Sequence, residues 1–248
     1  MDHSYAQAYP ELYRNHWWWR TRERILLREL DALLEGRFNA ARILDIGCGA
    51  GLFFDALKRF GTVEGLESDS TAIAQSGAWR DRIHQGYLDD SFQPTGRYDV
   101  VLMLDVLEHV EDPEDVLRRT RDLLAVGGRI VITVPAFRWL WTRHDDLNHH
   151  LRRYTTRELS GSLIRAGLHP VRSRYLFHSL VPLKLGVRVV ERMMASKPEV
   201  PTIPGRRMNG LIQSWLDLEF RIAGRIPVGS SILMIAEADA GSATMAPA

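Results

Sequence analysis

The chain has one cysteine, Cys48, among its 248 residues, so no intramolecular disulfide can form and a disulfide-built secreted scaffold is excluded. It has almost no excess of charge: 32 Lys and Arg against 31 Asp and Glu leave a formal net charge of +1. That is too little to draw the whole molecule onto nucleic acid. It also lacks a long apolar run. The nearest approach, residues 176–190, is broken by His178, Pro182, Lys184 and Arg188, whereas a bilayer span needs ~18 or more uninterrupted residues. The opening Met1-Asp2-His3-Ser4 has no charged-then-apolar layout of a signal peptide. No internal repeat occurs, and the one low-complexity stretch is a small-residue tail, 239–248, that reads as disordered. What remains, 45% hydrophobic and 25% charged, is enough for one large core. The expectation is a globular protein of a reducing cytoplasm.

The apolar spacing organises the chain. From Tyr5 to Glu35 it is helical, carrying Trp17, Trp18 and Trp19 and then Ile25, Leu26, Leu30, Leu33 and Leu34 at three- and four-residue intervals. Arg42 to Ile46 reads as a short strand, followed by Gly47-Cys48-Gly49-Ala50-Gly51 and a helical pattern. Thr62 to Leu66 reads as a second strand and Ile83 to Leu88 as a third, with Ser70 capping a helix between them. Tyr98 to Leu104 is almost continuously apolar, as for a strand covered on both faces. Asp112-Pro113 begins a helix that Gly127-Gly128 terminates, and Arg129 to Val134 is another buried strand. Thr155 and Glu158 have capping-box spacing for a helix ending near Gly167, and Val171 to Leu176 and Ser231 to Ala236 look like the last strands. Strands alternating with helices predict a doubly wound, Rossmann-like α/β sheet. The domain reading is one unit over 1–238: a helical cap (1–37), a cofactor-binding core (38–180), a helical lid insertion (181–228) and a last strand (229–238).

A glycine-rich turn between a buried strand and a helix lets a ligand approach the backbone. A dinucleotide fingerprint reads Gly-x-Gly-x-x-Gly, but here the spacing is Gly47-x-Gly49-x-Gly51 with Asp45 in the strand before it. Leu-Asp-Ile-Gly-Cys-Gly-Ala-Gly (44–51) resembles the first motif of the class I S-adenosylmethionine-dependent methyltransferases. Asp-Val-Val-Leu-Met-Leu-Asp-Val-Leu-Glu-His-Val (99–110) is similar to the fourth-strand motif of the branch that includes the ubiquinone-biosynthesis O-methyltransferases. Gly127-Gly128-Arg129 and the run 130–135 resemble the same family around its fifth strand. The resemblance spans roughly 42–167. It implies a seven-stranded sheet whose last strand is antiparallel, and S-adenosyl-L-methionine as cofactor with S-adenosyl-L-homocysteine as product. It further implies that Asp45, Gly47, Cys48, Gly49 and Gly51 cradle the methionine end, Cys48 being a small filler rather than a nucleophile. Glu67, with Ser68 beside it, would take the ribose. Where the family has an acid near adenine this chain has Gly86-Tyr87-Leu88-Asp89, so Tyr87 or Leu88 is read as packing the ring or offering backbone groups, with Asp89 as a further polar contact. Asp105 would shape the meeting point of sulfonium and acceptor.

The acceptor side is expected beyond the fourth and fifth strands. Residues 137–154 hold four aromatics, with His144, His149 and His150 and four arginines. His144 and His149, with His109 after the fourth strand, are the candidate general bases, since imidazole titrates near working pH. Arg152 and Arg153 could instead pair with Asp145 and Asp146 to fasten the loop. A metal set from His144, Asp145, His149 and His150 is conceivable, but no metal is assigned. The insertion alternates apolar residues with Lys184, Arg188 and Arg192 around a proline-rich loop (Pro198, Pro201, Pro204). It suits a partly hydrophobic acceptor, a peripheral membrane contact or a homodimer. The reading is O-methylation of a small, partly hydrophobic acceptor, with no nucleic-acid partner. The alternatives are N- or C-methylation, an RNA or protein methyltransferase, and a non-catalytic nucleoside-binding module.

Overall fold

The computed structural model describes residues 3–36, 39–193, 201–224 and 226–238. The small-residue tail, 239–248, and Pro198 of the proline-rich loop lie outside them.

Seven strands form one sheet in the order β3-β2-β1-β4-β5-β7-β6. They are β1 (Ala41–Ile46), β2 (Gly61–Glu67), β3 (Ile83–Gln85), β4 (Tyr98–Leu104), β5 (Leu124–Pro135), β6 (Leu168–Leu176) and β7 (Ser231–Ala238). β7 runs antiparallel to both β5 and β6, and the other pairings are parallel. The expected architecture and its reversed last strand are both present. β4 occupies the middle because its buried residues alternate between the two faces: Val100 and Leu102 join one core, Tyr98, Val101 and Met103 the other.

The first core lies under α1 (His3–Asn15), α2 (Trp17–Leu33), the single-turn α3 (Phe54–Leu57) and α9 (Arg206–Ile222), through Leu12, Ile25, Leu30, Phe54 and Leu216. The second lies under α5 (Pro113–Leu123) and α7 (Thr156–Arg165), through Leu117, Leu159 and Leu163. α5 begins as expected: Asp112 Oδ1 accepts from Glu114 N–H (3.1 Å) and Asp115 N–H (3.0 Å), with Pro113 in the first turn. Thr155 and Glu158 close the capping box of α7. The remaining helices are α4 (Ser70–Ala74), α6 (Arg143–Leu147) and α8 (Leu180–Met193).

Several boundaries differ from the expectation. Asp69, not Ser70, caps α4, its Oδ1 accepting from Thr71 N–H at 2.8 Å; a carboxylate is a full acceptor and Ser70 already lies inside the helix. β3 stops at Gln85 instead of Leu88. Gly127-Gly128 does not end α5, which stops at Leu123. The two glycines sit in the irregular start of β5, where the register against β4 shifts and a Cβ at Gly128 would lie 2.8 Å from the Tyr98 carbonyl oxygen.

Candidate functional site

The carboxyl ends of β1 and β4 open into a cleft walled by α1 and α2, the crevice where open α/β sheets take ligands. β1 brings in Asp45, which is 4% exposed, and the chain then turns through Gly47, Gly49 and Gly51 with φ of 72°, 56° and 67°. These are left-handed conformations that favour glycine. The glycines serve different ends. A Cβ at Gly47 would lie 2.7 Å from Val106 Cγ2, so the fold itself needs that glycine; a Cβ at Gly49 would meet nothing within 4 Å. Gly49 thus leaves open space beside the turn, as a cradle for a ligand backbone requires.

The turn is held by Glu67 at the end of β2. Its Oε2 accepts from Gly49 N–H at 2.7 Å, and its Oε1 accepts from Asp69 N–H at 2.8 Å and lies 3.5 Å from exposed Ser68 Oγ. The sequence reading missed Gly65, the β2 residue that pairs with Asp45. A Cβ there would lie 2.4 Å from Cys48 Sγ and 2.7 Å from Phe54 Cζ. Cys48 is packed into the space that Gly65 leaves, and burial pushes its thiol pKa up, away from nucleophilic chemistry.

Asp45 lines the cleft, and its carboxylate accepts no hydrogen bond among the described residues. Burial pushes its pKa up to about 7, opposed by the Arg22 guanidinium and reinforced by Glu67. Arg22 is the second residue that the sequence reading missed. Buried on α2, it places Nη2 2.7 Å from Asp105 Oδ2 and 2.9 Å from Thr133 Oγ1, with its guanidinium carbon 5.4 Å from the Trp18 ring centroid. The available signal was an arginine in the apolar stripe Trp19, Arg22, Leu26. Asp105 has φ 60° and is fixed by Thr133, whose hydroxyl donates to Asp105 Oδ1 at 3.1 Å and whose carbonyl accepts its N–H at 2.9 Å. The tryptophan run divides: Trp19 lines the cleft, Trp18 packs on Phe177 (centroids 6.0 Å apart), and Trp17 N–H donates to Asn209 Oδ1 at 2.8 Å.

At the position expected to face adenine, Gly86 N–H donates to the Glu67 carbonyl at 2.8 Å, which sets the following turn beside Glu67. There Leu88 is half-buried, while Tyr87 is 70% exposed.

The acceptor-side loop is organised around Asp145, which is fully buried. Arg153 donates from Nε and Nη2 to its two oxygens at 2.8 Å each, and His150 Nδ1 lies 2.8 Å from Oδ1. These partners hold the Asp145 pKa well below the usual carboxylate range despite its burial. The expected fastening is therefore half right: Arg153 takes Asp145, but Arg152 bonds the Glu111 carbonyl and Asp146 accepts from Trp141 Nε1. Phe137 stacks on Tyr175 (4.9 Å, 10°) and on Trp139 (5.1 Å, 29°), an aromatic wall at the end of β5.

The three candidate histidines are not brought together. His144 is half-buried with Nε2 3.1 Å from Asn148 Nδ2, and burial, with the positive charge of Lys184, lowers its pKa to about 4. His109 stands edge-on to His150 (4.8 Å), and partial desolvation, with His150 itself, lowers its pKa to about 4. His149 is exposed with φ 57°. The metal set weighed from the sequence is not assembled either. Instead Glu108, His109 and His150 each place a ligand atom within 4.8 Å of the others, a set that could hold a divalent cation. Glu108 is fully buried with both carboxylate oxygens unpartnered, so burial and nearby Asp105 raise its pKa well above the usual value. Finally, α8 brings Lys184 among Arg153, Asp145 and Asp105, where burial and Arg153 lower its pKa to about 8.

This sheet order, with its glycine turn below a buried acid, is that of a Rossmann-like methyltransferase. A family model described as "Methyltransferase domain" matches residues 18–173, and the chain belongs to that family. It is 30% identical over 145 residues to a ubiquinone biosynthesis O-methyltransferase of Escherichia coli O6:H1, covering 52% of this chain and 60% of that one. Matches to curated relatives span between 40% and 63% of their length, so the chain spans about half of the proteins it matches. Among solved structures, a putative sarcosine dimethylglycine methyltransferase from Galdieria sulphuraria superposes with TM-score 0.57 at 17% identity, covering 87% of this chain and 84% of that one. A Haloferax volcanii putative methyltransferase, solved in complex with the Trm112 methyltransferase activator, gives 0.58 at 16%, covering 95% and 96%. At these identities the structures show a shared fold.

Proposed function

We propose that the chain transfers the methyl group of S-adenosylmethionine to a hydroxyl of a small, partly hydrophobic acceptor. The observation that carries this reading is the buried Asp45 carboxylate, which accepts no hydrogen bond among the described residues, beside the open space at Gly49. A buried carboxylate without a hydrogen-bond donor is costly, and a ligand ammonium group would supply that donor. Arg22 supplies the opposite charge to a ligand carboxylate in the same cleft, so an amino-acid end fits this pair. Glu67, at the rim, retains lone pairs for ribose hydroxyls. Tyr87 or Leu88, in the turn beside Glu67, would pack a base.

When bound, S-adenosylmethionine supplies a methyl carbon on a cationic sulfur, already activated for displacement. The chain's own task is to orient the acceptor and take its proton. The Phe137 wall would orient a flat or apolar acceptor, and Asp105 with Arg22 shapes the floor. For the proton, a base works best with a pKa near the operating pH. His144 and His109, both lowered to about 4, are weak bases, and His149 faces solvent. Lys184, lowered to about 8, is the better matched acceptor of a hydroxyl proton. It becomes competent as pH rises through that value. The relatives named for ubiquinone biosynthesis support an oxygen acceptor.

The test is incubation with methyl-labelled S-adenosylmethionine and cell extract, followed by separation of lipid, small-molecule, RNA and protein pools. Label in the first two is expected, and label confined to RNA or protein overturns the acceptor class. Glu67→Ala should weaken cofactor binding by more than ~1 kcal/mol in calorimetry, since it removes a charged acceptor from ribose and turn alike.

A further inference from the structure

We propose that the α8–α9 insertion docks the protein on an anionic phospholipid surface. An ordinary surface helix buries its apolar stripe and shows its charges to water; α8 does the reverse. Lys184, Arg188 and Glu191, spaced i, i+4 and i+7, face the protein. Glu191 carboxylate oxygens accept from Arg143 N–H at 3.2 and 3.3 Å, its carbonyl accepts from Arg143 Nη2 at 2.6 Å, Arg188 donates to the Trp139 carbonyl, and Lys184 lies among Asp145 and Arg153. Leu180 and Val181, in the first turn of α8, pack against the protein, but the apolar residues beyond them point away. Leu183, Leu185, Val187, Val189, Val190 and Met193 are exposed, Leu183 by 60% and Met193 by 80%.

α9 adds a second such face. Ile212, Leu216 and Phe220 pack toward the core, leaving one apolar stripe covered. A further stripe at i, i+3, i+7, i+10 and i+14, namely Met208, Leu211, Trp215, Leu218 and Ile222, is exposed, Leu211 by 67% and Ile222 by 71%. A helix apolar on two faces with one uncovered marks an interaction surface. Trp215 Nε1 donates to Ser179 Oγ at 3.1 Å, which ties this stripe to the start of α8.

Charge selects the occupant. Residues 180–224 carry seven Lys and Arg against four Asp and Glu. The described acids are turned inward: Glu191 onto Arg143, Asp217 onto Arg24 (2.9 Å), and Glu219 onto the His178 and Ser179 N–H groups (2.8 and 2.7 Å). Arg206, Arg207 and Arg221 remain exposed at the two ends of α9. Two exposed apolar faces, that of α9 flanked by arginines, with the acids withdrawn, match the hydrocarbon boundary and the phosphates of an anionic bilayer surface. No helix among the described residues is long and apolar enough to cross a membrane, so the contact would lie on the surface. Through Arg143 and Trp139 the docked helix abuts the acceptor-side loop. The proposal stands on this surface alone and is independent of the methyl-transfer reading.

The experiment is vesicle flotation of the full chain with phosphatidylcholine vesicles, with and without phosphatidylglycerol, at low and high salt. Flotation with the phosphatidylglycerol vesicles, falling by ~10-fold or more at high salt, is expected. Leu211→Asp with Ile222→Asp, and separately Val187→Asp with Val190→Asp, should abolish it without changing the melting temperature, because all four side chains are exposed. Arg206→Gln with Arg207→Gln should remove most of the salt dependence. If the wild-type chain stays at the bottom of the gradient, the proposal is overturned. It is equally overturned if light scattering shows a dimer in solution that the Leu211 and Ile222 pair dissociates, since the face then belongs to a second copy.

Discussion

Two residues decide whether the cofactor turn can exist and what charge it presents. Gly65 has no side chain, so Cys48 and Phe54 can approach β2. Gly65→Ala should cost ~1–3 kcal/mol by overpacking, read as a lowered chemical-denaturation midpoint, and Cys48→Ala in the same chain should restore part of it while Phe54 keeps the remainder. Equal loss in single and double variants would show that Cys48 does not set the contact. Asp45 carries the second prediction. Burial raises the pKa of its carboxyl to about 7, and only the ionised form attracts an ammonium group. Affinity for S-adenosylhomocysteine should therefore rise as pH rises through about 7 and then level. Asp45→Asn should bind weakly with a flat profile, as titration calorimetry across pH would show.

Among the elements, the acceptor-side loop depends on one buried ion pair. Arg153 and Asp145 have side chains 1% and 0% exposed, and removing one partner of such a pair typically costs ~3–5 kcal/mol because the other charge is stranded. Arg153→Met should destabilise the chain on that scale in urea unfolding and loosen 137–150 to limited proteolysis before the sheet is cut. Protection equal to wild type would mean that the loop is held mainly by the Phe137 stack. α8 contributes Lys184 to the same region. Lys184→Met should lower kcat by ~10²-fold, the range of a lost general base, and remove the rise of kcat with pH near 8. Loss of kcat with the pH profile retained would assign the proton to another group.

At the scale of the whole molecule, the cleft is a seam between the N-terminal helices and the sheet, since Tyr9, Tyr13, Trp19 and Arg22 face Asp45 and Gly47 across it. A ligand bound there stabilises the folded state by ~2.7 kcal/mol at one hundred times its dissociation constant. S-adenosylhomocysteine should raise the melting temperature and slow amide exchange in α2 and the glycine turn, while α8 and the exposed side of α9 exchange as before. Protection confined to α8 and α9 would place the ligand elsewhere.

The strands and the glycine turn were legible because their signals are local. A continuous apolar run at 98–104, the Gly47, Gly49 and Gly51 spacing, the Asp112-Pro113 start of α5 and the capping box at Thr155 and Glu158 each lie within a few neighbouring residues, where backbone sterics and hydrogen bonding act directly. Boundaries that depend on a partner strand were less legible: the glycines at 127–128 resemble a helix stop until β4 is seen beside them. Pairings across long sequence separations were decided by the tertiary structure alone. Arg22 meets Asp105, Asn209 meets Trp17, and Lys184 enters a site built from residues 105–153, because packing two helical segments on one sheet face brings together charges that no spacing rule connects. The amphipathicity of α8 was written in the sequence, but which of its sides faces water was not. Periodicity defines a helix's faces, and only the contacts of Arg143 and Trp139 with its polar side determine that the apolar one is left outside.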